Sequence, residues 1–229
     1  MHGGRNTVIV AMALLAVWLY SGRLLGFRSW EWHQKLVLEV DTPTGTKTGG
    51  STVAIHASTD PKWVPISAAD GIRSEVKGEA SFVEISPGKY LFATVDSNSP
   101  AERAAFTFPA KKGVNAYDQL DAIERVREAR TVWRGKYPDL FTFLNNSDPS
   151  SVEKVDPNNL EASFGPGVFL KRITLEITNE PVTDGAIGKI LAWLPDYYKT
   201  QFDGSQGIVY VGKYESPANS LSSGAFKTP

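Results

Sequence analysis

The stretch Gln34–Asp41, QKLVLEVD, decides the fold class. Leu36, Leu38 and Val40 fall on one side of an extended chain, and Val37, Glu39 and Asp41 fall on the other. That period of two predicts a half-buried β-strand. Downstream, Thr42–Gly50 (TPTGTKTGG) is rich in Gly, Pro and Thr and reads as turn. Ser51–Ser58 (STVAIHAS) then reads as a second strand, which predicts a hairpin with a long connection. Pro61–Gly78 reads as irregular. Glu79–Val95 reads as strand, turn, strand: Ser86-Pro87-Gly88-Lys89 suits a type II turn, with Gly88 taking the positive φ. Phe169–Thr178 (FLKRITLEIT) alternates again, with Ile173, Leu175 and Ile177 inward. Gly207–Gly212 (GIVYVG) reads as a last strand.

Helical spacing is rarer. Tyr117, Leu120, Ile123 and Val126 predict a helix over Asn115–Trp133, capped by Asn115, with Asp121 placed four residues before Arg125. Thr183 or Asp184 is a cap candidate for a short helix to Leu194, ended by Pro195. Between these, Tyr137–Gly167 carries four prolines and reads as loop with short helical turns. Runs of strands followed by helices predict an α+β domain, mainly antiparallel sheet with two or three helices, over residues 29–215. Residues 216–229, rich in Ser, Pro and Ala, read as a flexible tail.

Upstream of the strands the chain is of another kind. Thr7–Tyr20 (TVIVAMALLAVWLY) is uncharged, and the apolar trend continues through Phe27 despite Arg23. Thr7–Phe27 is 21 residues, enough for a helix to cross a bilayer. Trp18, Tyr20, Arg23, Phe27, Trp30 and Trp32 are the expected residues at the membrane interface, where amphipathic rings and snorkelling cations favour the headgroups. Residues 1–28 are therefore expected to be a single-pass anchor, or else a cleaved signal peptide; Tyr20-Ser21-Gly22 is a poor cleavage site. Charge counts around the segment favour a cytoplasmic domain, whereas the very short N-terminal tail favours export. The expectation taken is the exported, periplasmic side of a bacterial inner membrane.

Composition narrows the function. Of 229 residues 41% are hydrophobic and 21% charged, which excludes a disordered chain, and a net charge of −1 shows no basic excess for nucleic acid. With no cysteine, disulfides, thiol catalysis and thiolate metal sites are excluded. No metal-ligand motif occurs; Asp96-Ser97-Asn98 lacks the Gly and distant Glu of a calcium loop and reads as a turn. Gly45–Gly50 lacks the Lys placement and following helix of a phosphate loop. No cofactor is expected. The pairs Glu39/Asp41 and Asp118/Asp121 read as solvated. Of three histidines, His2 is terminal and His33 lies beside the tryptophans. His56, with Asp60 and Asp70, is the one weak catalytic candidate.

Three stretches resemble a group of uncharacterised, membrane-anchored proteobacterial proteins: VLEVDTPTGTKTGGSTVAI (37–55), GEASFVEISPGKYLFATV (78–95) and KRITLEITNEPVTDGAIGKILAWL (171–194). The resemblance covers about half of the chain and is one of strands and turns. It implies a bacterial origin and a β-rich domain behind one anchor, and it carries no activity. The first functional expectation is a membrane-tethered, non-enzymatic accessory or binding module, with the lipid bilayer and a protein at the membrane as partners. The alternatives are an envelope hydrolase or transferase around His56, Asp60 and Asp70, and a subunit of a larger membrane complex.

Overall fold

A computed structural model describes residues 28–59, 72–95, 99–207 and 216–228. The expected anchor (1–27), Asp96-Ser97-Asn98 and most of the expected strand Gly207–Gly212 lie outside the described residues. Among the described residues, no helix is long and apolar enough to cross a membrane.

Among the described residues, two antiparallel sheets form the domain. The larger is built from β1 (Ser29–Thr42), β2 (Gly45–Thr59), β3 (Ile72–Glu79), β6 (Ala129–Thr131), β9 (Phe169–Thr178) and β10 (Lys227–Thr228), in the order β10-β3-β2-β1-β9-β6. The smaller has β4 (Ser81–Ser86), β5 (Lys89–Ala93), β7 (Leu140–Phe143) and β8 (Val152–Lys154), in the order β4-β5-β7-β8. Among the described residues four short helices accompany them: α1 (Pro100–Thr107), α2 (Ala116–Ile123), α3 (Glu161–Phe164) and α4 (Pro217–Ser220). The α+β class read from sequence is the class found.

The alternation in β1 sets the large sheet. Leu36, Leu38 and Val40 are buried, and they pair across β9 with the buried Leu175 and Ile173 and with Leu170. The same period reaches further back than the sequence reading took it. Trp30 and Trp32 are 2% and 3% exposed, in register with Leu36 on the core face. They are therefore core residues and not rings at a membrane interface. Their indoles are satisfied inside the protein: Trp30 Nε1 donates to Asp121 at 2.6 Å and Trp32 Nε1 donates to Gln34 at 3.0 Å.

The β1–β2 connection is tight. β2 starts at Gly45, paired directly with Thr42, so the glycines expected in a long turn lie within a strand. Gly49 and Gly50 have another purpose. A Cβ on Gly49 would sit 2.1 Å from the Phe82 carbonyl oxygen, where β4 crosses β2. One on Gly50 would sit 2.3 Å from the Leu36 carbonyl. Only glycine admits that approach. Residues 72–78, expected to be irregular, form most of β3. Gly78, with φ 138, is the penultimate residue of β3, and Ala80 alone separates that strand from β4. The predicted turn at Pro87-Gly88 is found, with Gly88 at φ 74.

The long helix expected over Asn115–Trp133 ends at Ile123. Asn115 caps it by accepting from the Asp118 N–H. Beyond it the open edge of β9 takes the chain as β6, and the Val132 N–H donates to the Ile173 carbonyl at 2.9 Å. Asp121 consequently binds Trp30, where pairing with Arg125 was expected. The helix expected up to Leu194 is two separate 3-10 turns, Ile187–Lys189 and Leu194–Tyr197, and Pro195 lies inside the second. Tyr137–Gly167 is also more regular than expected, holding β7, β8 and α3.

The C-terminal segment is not a loose tail. Residues 216–228 form α4, a 3-10 turn and β10, and Phe226 is fully buried. Its ring lies 5.6–5.9 Å from Phe202, Phe143 and Phe92, in a core aromatic cluster. Burial of a phenyl ring of this kind outweighs the polar composition around it.

Candidate binding site

Of the residues proposed for chemistry, His56 alone lies among the described residues. His56 is exposed on the outer face of β2, between Glu31 on β1 and Glu75 on β3, and its imidazole makes no hydrogen bond to a described residue. Asp60 and Asp70 lie outside the described residues, as do Trp18, Tyr20, Arg23, Phe27 and His2. His33 Nδ1 lies 2.7 Å from the Glu180 carbonyl. Among the described residues no group of three or more His, Asp or Glu side chains could hold a metal ion.

The carboxylate pairs have structural partners. Glu39 accepts from Arg172 Nε at 2.6 Å, and that bond holds the Arg172 guanidinium above its ordinary pKa. Asp41 accepts from Thr46 Oγ1 at 2.5 Å, which lowers its pKa, with Lys171 adding to the effect. Asp118 faces Arg28 at 3.8 Å.

Between the sheets lies a small cavity of about 20 Å³, lined by Gln34, Ser51, Ser81, Thr94, Glu79 and Arg103 among others. It has room for about one water. Its polar groups are used in joining the layers. Ser81 Oγ donates to the Leu36 carbonyl at 2.8 Å, and Ser51 Oγ donates to the Glu79 carbonyl at 2.6 Å. Arg103, 2% exposed, donates from Nε to the Lys136 carbonyl at 3.0 Å. Burial pushes its pKa down to about 10, partly opposed by the charge of Asp139, so it stays protonated at neutral pH.

A larger opening lies beside β3. A cleft of about 330 Å³ is lined by Ile55, Ser74, Glu75, Val76, Ser99 and Pro100. Its walls are mixed: Ile55, Val76 and Pro100 are apolar, and Ser74 and Ser99 bring their hydroxyls within 3.4 Å of each other. Ser99 sits at φ 27, rare for a residue with a Cβ, while its side chain caps α1. Such backbone conformations cost on the order of 1–3 kcal/mol and concentrate at functional sites.

The cleft adjoins an open strand edge. Antiparallel strands direct the N–H and C=O of alternate residues to opposite sides. Gly78 turns both its N–H and its carbonyl to β10, where the Thr228 hydroxyl accepts from the one and donates to the other. By the same alternation Ile72, Ser74 and Val76 direct their amides away from β2, whereas Arg73, Glu75 and Lys77 bond Ser58, His56 and Ala54. Among the described residues only β10 pairs on that outer side, and only at Gly78 and Glu79. Three successive outward-facing positions are left unpaired by described residues, with the cleft at their side. Sequence reading missed this site because it lies in the stretch taken as irregular. The one available signal was Ile72-x-x-x-Val76 with charges at 73, 75 and 77.

Comparison with protein-family models, curated proteins and solved structures found no match.

Proposed function

We propose that this protein is a membrane-tethered, non-catalytic binding module that holds a protein partner beside the bilayer, as an accessory subunit would. The observation that carries this reading is the way the chain enters the domain. Arg28 follows directly on the apolar stretch ending at Phe27. It is fastened at once: its N–H donates to Thr59 Oγ1 at 2.9 Å, its carbonyl accepts from the Thr59 N–H at 2.9 Å, and its guanidinium lies 5.3 Å from the Tyr117 ring centre. No slack separates the lipid-seeking sequence from the sheet. Thr59 pairs in turn with Ile72, the first residue of the open edge. Two strand spacings, about 10 Å, therefore separate Arg28 from the edge. The bilayer would hold the cleft and the open strand close to its surface.

The test is fractionation of the full-length chain with membranes. The expected result is recovery in the membrane fraction, resistance to high-salt washing, release by detergent, and a soluble domain of unchanged circular dichroism when residues 1–27 are deleted. Unprocessed full-length protein that stays soluble without detergent would overturn the tether. Detergent pull-down then identifies the partner.

A further inference from the structure

We infer that the partner for the open edge is a second copy of this chain, joined antiparallel through β3 about a two-fold axis at Ser74. The inference rests on reading the β3 edge as the binding surface, and it names what that surface binds.

Backbone geometry restricts the pairing first. Ile72, Ser74 and Val76 are the residues whose N–H and C=O face outward, so a partner strand must meet them with outward-facing residues of its own. Between two copies this leaves a handful of registers. In one, Ser74 faces Ser74 and Ile72 faces Val76. In a second, slid two residues towards the N-terminus, Ile72 faces Ser74. In a third, slid the other way, Ser74 faces Val76. In a fourth, Val76 faces Val76.

Charge then chooses among them. Arg73, Glu75 and Lys77 stand on the outer face, and directly opposed side chains across a strand pair interact most strongly. The Ser74-centred register sets Arg73 of each copy against Glu75 of the other, two attractive pairs. The register with Ile72 opposite Ser74 sets Arg73 against Arg73. The register with Ser74 opposite Val76 sets Glu75 against Glu75 and Arg73 against Lys77. The Val76-centred register would set Glu75 against Lys77, but it needs Gly78, which β10 already occupies. Arg73 has an interaction within its own chain. A guanidinium carries five donors, so it can keep that interaction and still serve a facing carboxylate.

Apolar contact agrees with charge. Ile72 and Val76 are half-buried and pack against the core on the cleft side. The Ser74-centred register lays Ile72 of each copy beside Val76 of the other, at the cleft lined by Ile55, Val76 and Pro100. Up to six backbone hydrogen bonds would form, and two large sheets would become one. Charged residues on an edge strand normally deter pairing. Here their order deters the two registers slid by two residues and β10 blocks the Val76-centred one, which favours a symmetric and self-limiting contact at Ser74. Confinement of two tethered copies to one membrane would raise their effective concentration.

The chain has no cysteine, which makes the test direct. Ser74→Cys would place two thiols across the axis, with Cα atoms about 5.5 Å apart, within disulfide range. In full-length protein in detergent, mild oxidation should convert Ser74→Cys into a covalent dimer about tenfold faster than Leu144→Cys, an exposed control just past the end of β7. Arg73→Glu or Glu75→Arg, added singly, should slow the crosslink roughly tenfold, since both symmetric pairs change from attraction to repulsion. The double exchange Arg73→Glu with Glu75→Arg should restore it. No preference of Ser74→Cys over the control, or failure of the double exchange to rescue either single one, overturns the inference. Circular dichroism of each variant separates loss of pairing from loss of fold. Membrane fractionation of the same samples keeps this result apart from the tether: a monomer that still partitions with membranes removes the dimer and leaves the tethered module standing.

Discussion

The two ends of β3 are one strand in two conditions. At Gly78 and Glu79 the edge is sealed by β10, and the seal is fastened three ways. Thr228 bonds Gly78, Phe226 is sunk in the aromatic cluster, and Glu79, 1% exposed at its side chain, accepts from the Gly185, Ala186 and Ile187 N–H groups and from Lys227. From Ile72 to Lys77 no described residue seals it. A buried carboxylate and a buried phenyl ring close two residues, and among the described residues the other six carry only surface charges in alternation. Sealing the edge serves the fold, and the part that no described residue seals is the surface proposed above for a second copy.

That contrast can be broken at several points. The largest effect is expected from Phe226→Ala, which removes a ring from the centre of the cluster. It should destabilise the domain by about 4 kcal/mol in denaturant unfolding, and it should free β10. Glu79→Ala strands three backbone donors, leaves Lys227 with Asp184 alone, and should cost about 3 kcal/mol in the same measurement. Proline sharpens the difference between sides. Glu75→Pro deletes a ladder bond to His56 and should cost about 3 kcal/mol, whereas Ser74→Pro deletes an N–H that bonds nothing described and should cost about 1 kcal/mol or less. Comparable losses from both prolines would mean that the alternation of β3 has been assigned the wrong way round.

The smallest effect concerns pH. Lys227 donates to Asp184 at 2.6 Å, which lowers the Asp184 pKa and raises that of Lys227, with Glu79 adding to the latter. The Asp184 contribution is present above its ordinary value of 3.8 and is lost as pH falls through the lowered one. The Lys227 contribution is complete below 10.5 and is lost as pH rises through the raised value. Amide exchange at Thr228, corrected for intrinsic rates, should therefore be slowest over the neutral range and quicken at both extremes. Lys227→Met should flatten the profile.

How much of this was legible beforehand depends on which interaction decides each element. β1, β9 and the Pro87-Gly88 turn were readable because one face of each strand is core and the period of two is uninterrupted. The aromatic and glycine signals misled where a long-range contact decides. Trp30 and Trp32 follow an apolar stretch and invite a membrane reading, yet the phase of Leu36 and Leu38, carried back two and three steps, puts both inside. Gly49 and Gly50 have turn composition, but Gly49 answers to β4 passing overhead and Gly50 to the Leu36 carbonyl of β1. Val126 and Val132 continue a helical period by coincidence, and the unpaired edge of β9 wins the chain at Ala129–Thr131. The tail reads as polar because its one decisive residue, Phe226, is a minority of its composition. The open edge was hidden for a related reason: its alternation is apolar at only two positions, and its meaning depends on knowing that β2 lies on one side and β10 covers only the last two residues.

The most direct test of the open edge is amide hydrogen exchange at Ser74 and Val76 in the full-length protein in detergent, measured as a function of protein concentration. At high dilution both amides should exchange quickly while that of Glu75, bonded to His56, stays protected. As concentration rises, Ser74 and Val76 should become protected together. Protection equal to that of Glu75 at the lowest concentration would show the edge closed within a single chain, and would contradict the account.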